Sequence, residues 1–131
     1  MTVMAICIGL LGLLVFLLGL GVSLARQRAK SGVGYPDDPA DILHKLVRAH
    51  GNTIEYAPML ALLIWVAGTA TSAVWLQWIM IGATASRYMI VAGMLLAPSL
   101  RHPHPLRFLG ALGTYLFGTV LCLDLLYRAL A

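Results

Sequence analysis

Side chains that can bind or carry charge crowd into residues 48–56, where Arg48, His50, Asn52, Glu55 and Tyr56 open the stretch LVRAHGNTIEYAPMLALLIWVAG. At about 100° per residue, His44, Arg48, Asn52 and Glu55 fall within an arc of roughly 80° and form one polar stripe, while His50 and Tyr56 project elsewhere. The chemistry of such a stripe is ion binding, because a guanidinium offers paired donors to an oxyanion and an amide both donates and accepts. The same stretch runs on without a break into apolar sequence long enough to enter a bilayer. A polar helix end aimed into lipid is costly unless something ionic occupies it.

Arg87 is the second chemical signal. It lies about eleven residues inside an apolar run, where an unpaired arginine costs several kcal/mol. Glu55 is the acid at comparable depth on the neighbouring antiparallel segment, so the two are expected to pair or to share a polar network. That pair has two readings, a fold-specifying ion pair and part of a binding site. Arg26, Arg28, Arg48, Arg101 and Arg107 come from the ends of all four apolar segments. A ring of arginines around a polar pocket suits a ligand with several carboxylates, and it equally suits lipid headgroups or membrane topology. His102 and His104 form an HxH flanked by prolines, but no nearby cysteine or matched carboxylate completes a metal site. Cys7 and Cys122 each sit inside an apolar run and read as small buried hydrophobes. No nucleophile stands beside a base, and no glycine loop of the phosphate-binding kind is present.

The elements that must position these residues follow from composition. The chain has 131 residues, of which 60% are hydrophobic and 11% charged, which excludes a water-soluble globular domain of this size and makes it an integral membrane protein of one domain. The expected architecture is all-α, a bundle of four membrane-spanning helices near residues 2–25, 42–68, 73–97 and 106–127. Each is long enough for a hydrocarbon core of about 30 Å. Gly9, Gly12, Gly19 and Gly21 are read as permitting close helix packing in the first span. Residues 31–41, rich in glycine, proline and aspartate, form a loop, with Pro39 and Asp41 starting the second helix. Residues 69–72 form an uncharged turn. Trp75 and Trp78 read as interfacial anchors, and Pro98 ends the third span. Four thin helices enclose little volume, so a site of any size is expected between subunits of an oligomer.

Formal net charge is +4, yet the positions of the basic residues argue against nucleic acid. Seven of the nine, namely Arg26, Arg28, Lys30, Lys45, Arg48, Arg101 and Arg107, lie in or beside the first and third connections. By the positive-inside rule those connections are cytoplasmic and both termini lie outside the cytoplasm.

The run Arg48-Ala-His50-Gly-Asn52-Thr-Ile-Glu55-Tyr56-Ala-Pro58 resembles the hallmark of the MAPEG family, the membrane-associated proteins of eicosanoid and glutathione metabolism. The spacing R-x-H/Q-x-N-x-x-E-Y-x-P, the four spans, the chain length and the basic loops agree with it, and the chain looks closest to short bacterial members. The resemblance implies a homotrimer in a membrane, the inner membrane for a bacterial member, with glutathione bound between neighbours near the cytoplasmic face and a lipophilic substrate reached from the bilayer. By motif position, Arg48, His50, Asn52, Glu55 and Tyr56 would contact glutathione, joined by Arg26 at the end of helix one and Arg87 on helix three. The arginine that stabilises the glutathione thiolate would be Arg107 by context or Arg101 by its spacing from Arg87. Only a thiolate is strongly nucleophilic, and a fixed cation in a dry pocket favours it over the thiol. The chain departs from glutathione-using members on the turns after Arg87, where Ile90 and Met94 replace tyrosines or a histidine.

The function implied is a glutathione-dependent transferase or peroxidase acting on a lipophilic electrophile or lipid hydroperoxide. The alternative is a non-catalytic member of the same fold that binds lipid or scaffolds a partner. A third class, the small proton-coupled exporters, also has four short spans with one membrane glutamate. Those proteins carry the acid in the first span, whereas Glu55 lies in the second, beside Arg48.

Overall fold

The computed structural model describes residues 2–71 and 73–131 and consists of four helices: α1 (Thr2–Ala29), α2 (Ile42–Ala70), α3 (Val74–Leu96) and α4 (Pro105–Leu130). All four are long and apolar enough to cross a membrane. α2 and α3 are packed together at the centre, α1 lies against both, and α4 also lies against both. Among the described residues α1 and α4 share no contact, so the bundle is two helix pairs joined through α2 and α3.

Each helix buries some residues and leaves an apolar surface elsewhere, except at the polar start of α2. Of the two cysteines expected to be buried, Cys7 is, whereas Cys122 on α4 is exposed. On α1 the buried residues Cys7, Leu11, Leu14, Leu18 and Val22 recur every three or four positions, as one helix face requires. The opposite face exposes Ile6, Leu10, Leu13, Phe16, Leu17 and Leu20. In water so continuous an apolar surface would be untenable, whereas in a bilayer it is the side that lipid covers. Buried hydroxyls cause no difficulty because they bond within their own helices: Thr53 donates to the Ala49 carbonyl at 2.8 Å and Thr84 to that of Met80 at 2.9 Å.

The helix ends follow local chemistry. Asp41 caps α2, its Oδ1 accepting from the Leu43 and His44 amides at 2.8 and 3.1 Å. Pro105 occupies the first turn of α4, where its missing N–H costs nothing. α1 runs four residues beyond the expected residue 25 and ends at Ala29; the next residue, Lys30, has a φ of 51° that closes the helix, while Ser31 donates back to the Arg26 carbonyl at 3.1 Å. α2 likewise continues through Thr69 and Ala70, so the turn expected from residue 69 is shorter; Ser72 lies outside the described residues.

At the end carrying the two basic connections, the loops are tied together. The Leu100 amide donates to the Pro39 carbonyl at 3.0 Å. Lys45, one of the basic residues counted beside the first connection, is only 8% exposed and donates through Nζ to the Ala97 carbonyl at 2.6 Å, a cation on the free carbonyls at the end of α3. At the other end Gly68 packs against Met4, which brings the start of α1 to the end of α2.

The closest helix approach is between α3 and α4. A Cβ at Gly93 would stand 2.5 Å from the Arg107 amide nitrogen, and one at Gly110 would stand 2.7 Å from both the Ile90 nitrogen and the Ser86 carbonyl. Only glycine allows backbones so near each other. The expectation that the α1 glycines serve this purpose is corrected at Gly9 and Gly12, which have nothing within 4 Å; Gly19 and Gly21 face His50 and Leu46 at ordinary contact distance.

Candidate functional site

The inward face of α2 is set by Ala49, Thr53, Ala57, Leu60 and Ile64, all buried. With that face fixed, helix geometry puts Tyr56 about 60° from its centre and Glu55 about 160° away. The residues that α2 turns toward α3 and α4 are Arg48, Asn52 and Tyr56, one turn apart, rather than the expected stripe ending at Glu55, whose side chain is exposed. α3 presents Arg87, Ile90 and Met94 to it, and α4 presents Arg107, Ala111, Thr114 and Tyr115. Together with Leu100 from the loop they line a cavity of about 370 Å³. The α3–α4 approach through Gly93 and Gly110 is what brings Arg107 and Arg87 to the same space.

Arg87 is fully buried. Its Nη2 donates to both the Asn52 carbonyl at 2.9 Å and Asn52 Oδ1 at 2.7 Å, and its Nη1 lies 3.5 Å from Thr114 Oγ1. The guanidinium sits 5.1 Å over the Tyr56 ring, a cation–π contact. The expected pairing with Glu55 is not formed: the ion pair found among the described residues is Arg128 with Asp124, on α4, and Glu55 is exposed on the outer side of α2. Two bonds to a charged donor, worth about 1.5–3 kcal/mol each, offset an insertion cost of about 3 kcal/mol. Hydrogen bonds engage Nη1 and Nη2, no carboxylate among the described residues pairs with the guanidinium, and Arg87 Nε is buried without a partner.

The other arginines divide. Arg107 lines the cavity and donates through Nη1 to the Leu100 carbonyl at 2.9 Å. Arg101 is exposed and lies outside the cavity lining. Arg26 is on a different groove, between α1 and α2, which it lines together with His50 and Ser23. The rim arginines thus form no single ring: Arg48 and Arg107 share the cavity, Arg26 lines the α1–α2 groove, and Arg28 and Arg101 are exposed.

Thr114 and Tyr115 belong to the cavity although nothing singled them out in the sequence; they lie seven and eight positions beyond Arg107, hence on its face. Tyr56 and Tyr115 hold their hydroxyls 3.3 Å apart with the rings edge to face. Ile90 and Met94 occupy the turns after Arg87 and make that wall apolar. His102 is exposed, and His104 is the residue before α4, its Nδ1 buried without a partner.

A polar cluster on α2 reaching a buried arginine on α3 and a basic residue at the start of α4 is the arrangement in which the Arg48 to Pro58 motif would be expected to act. A family model described as the MAPEG family matches residues 4–127, nearly the whole chain. The chain belongs to the MAPEG family. Searches of curated proteins and of solved structures return no match. As a MAPEG protein with four membrane-crossing helices, it is an integral membrane protein of a family associated in general with glutathione.

Proposed function

We propose that this chain is a membrane-bound glutathione-dependent transferase or peroxidase acting on a lipophilic electrophile or lipid hydroperoxide. The observation that carries the reading is the convergence of Arg48, Arg87 and Arg107, from three helices, on one cavity whose lining includes no acid. Glutathione brings two carboxylates and a thiol, and a site with three guanidinium groups has a partner for each once the thiol is ionised. The buried, unpaired Nε of Arg87 fits an added acceptor.

In this reading Arg48 and Arg87 hold carboxylate oxygens, with Asn52 and Tyr56 fixing the Arg87 guanidinium. Arg107 keeps a thiol in its anionic form at the wall next to the Tyr56 and Tyr115 hydroxyls. Lipid on the outer faces and the apolar side chains of Ile90 and Met94 exclude water, which strengthens that attraction. Arg26, His50 and the outward Glu55 lie on other faces of the protomer, so they serve the same ligand only across a subunit boundary. A homotrimer supplies that boundary, with the basic loops cytoplasmic and both termini outside, in the inner membrane of a bacterium.

Calorimetry of glutathione on the purified oligomer, followed by turnover of an aryl halide and of cumene hydroperoxide, tests the proposal. Arg107→Ala is expected to lower kcat/KM by about 100-fold, as loss of one fixed donor at a developing charge does, with Arg101→Ala close to the parent. Absence of both binding and turnover in the parent protein would remove the reading.

A further inference from the structure

The first connection carries aspartates and prolines of which none lines the arginine-lined cavity. Asp38, Pro39, Ala40 and Asp41 form one turn: the Asp41 amide donates to the Asp38 carbonyl at 3.0 Å, and the Ala40 amide donates to Asp38 Oδ1 at 2.9 Å. Aspartate first and proline second are what such a turn favours, since one supplies the acceptor and the other fixes φ. Asp41 then caps α2, so the turn is held at both ends. Its Pro39 carbonyl accepts from the Leu100 amide at 3.0 Å, and the Leu100 carbonyl accepts from Arg107 Nη1 at 2.9 Å. Lys45, in the first turn of α2, holds the same second loop at the Ala97 carbonyl.

We infer that Asp38 is a positioning residue for Arg107, acting through the Pro39 carbonyl and the Leu100 peptide. The Arg107 backbone is fixed at the seam with Gly93, but its side chain has several rotatable bonds, and a guanidinium stabilises a charge best when its donors are already aimed. The Leu100 carbonyl sets the aim. It takes Nη1 and leaves Nη2 and Nε without a partner among the described residues. The effect on chemistry rests on the proposed thiolate reading: Asp38, exposed and outside the cavity, governs how strongly a thiol bound at Arg107 is ionised. Charge alone would act in the other direction. Removing an anion favours the thiolate and lowers the thiol pKa, whereas loss of aim at Arg107 raises it.

Two measurements on the purified protein separate the latch from its consequence. Without any thiol, hydrogen exchange at the Leu100 amide is expected to quicken by about three- to tenfold in Asp38→Ala and in Pro39→Gly, the worth of one hydrogen bond. Asp38→Asn keeps a side-chain oxygen for the Ala40 amide and should exchange as the parent does. With glutathione bound, ultraviolet titration of the thiolate is expected to show the acid dissociation constant of the thiol reduced about three- to tenfold in Asp38→Ala and Pro39→Gly. In Asp38→Asn it should stay or rise slightly. Asp37→Ala, which removes a neighbouring acid that bonds to no other described residue, should behave like Asp38→Asn. Arg48, Arg87, Tyr56 and Tyr115, which face the same cavity, are unaltered in all these variants. A purely structural role for Asp38 would lower the melting temperature without moving the titration midpoint of the folded protein.

Unchanged Leu100 exchange in both Asp38→Ala and Pro39→Gly overturns the latch by itself. An unmoved midpoint in those two, or an equal rise of the thiol pKa in Asp38→Asn, overturns the positioning role; if Arg107→Ala still raises the pKa, the thiolate reading survives. A parent protein that leaves the thiol pKa at its free value removes the thiolate reading and the role of Asp38 with it.

Discussion

Arg87 shows how a buried charge can be tolerated without a counter-ion. Its bonds to Asn52 and its seat on Tyr56 replace the hydration it loses, and what is left over is a field inside the cavity. Asn52 is therefore the residue on which the arrangement turns, since its side chain and carbonyl both accept from the same nitrogen. Asn52→Ala is expected to destabilise the protein by about 2–3 kcal/mol, the worth of a hydrogen bond to a charged group, because Arg87 Nη2 keeps only the backbone acceptor. Thermal unfolding in detergent measures it. Glu55→Gln serves as the comparison: Glu55 makes no contact with Arg87, and a change within about 0.5 kcal/mol is expected. A loss at Glu55 as large as that at Asn52 would mean that Arg87 depends on the carboxylate after all.

At the scale of the helix, the decisive feature is the close seam of α3 and α4. Gly93 and Gly110 let the backbones meet, and that meeting sets Arg107 opposite the turn that carries Arg87. A methyl group at Gly110 would collide with backbone atoms of Ile90 and Ser86, which cannot swing aside as a side chain can. Gly110→Ala is accordingly expected to cost about 1–3 kcal/mol and to weaken anion binding as Arg107 moves outward. Gly12→Ala, with open space around it, should instead be neutral or gain up to about 1 kcal/mol from helix propensity. Circular dichroism melts of the two variants decide the matter; equal melting points would place the close packing elsewhere.

For the whole molecule, the division of basic residues between two faces has a consequence for assembly. Arg26 and His50 line the α1–α2 groove, while Arg48, Arg87 and Arg107 line the cavity among α2, α3 and α4. If neighbouring chains in the proposed trimer join these two clusters into one site, the site is shared and defects can complement each other. Co-expression of an Arg26→Ala chain with an Arg107→Ala chain, with pull-down of mixed oligomers by two tags, should then restore part of the activity that each lacks alone. A self-contained protomer would show no recovery. Light scattering of the parent protein reports the number of chains directly.

Most of the fold was legible in the sequence because lipid imposes simple rules. Apolar runs of spanning length, breakers between them and basic residues at two connections yield four helices and their order, and Asp41 marks the start of α2 through its capping chemistry. The motif from Arg48 to Pro58 pointed to the family and to the helix that lines the candidate site. The rotation of α2 about its own axis was not legible there, since nearly every face of a membrane helix is apolar and periodicity cannot say which face turns inward. Small residues at Ala49, Thr53 and Ala57 decide it by allowing close packing, and they turn Tyr56 toward Arg87 and Glu55 away. The same reason separates Arg107 from Arg101 and brings in Thr114 and Tyr115. Residue types determine which charges the chain carries into the membrane, but which of them meet depends on backbone contacts between segments far apart in sequence.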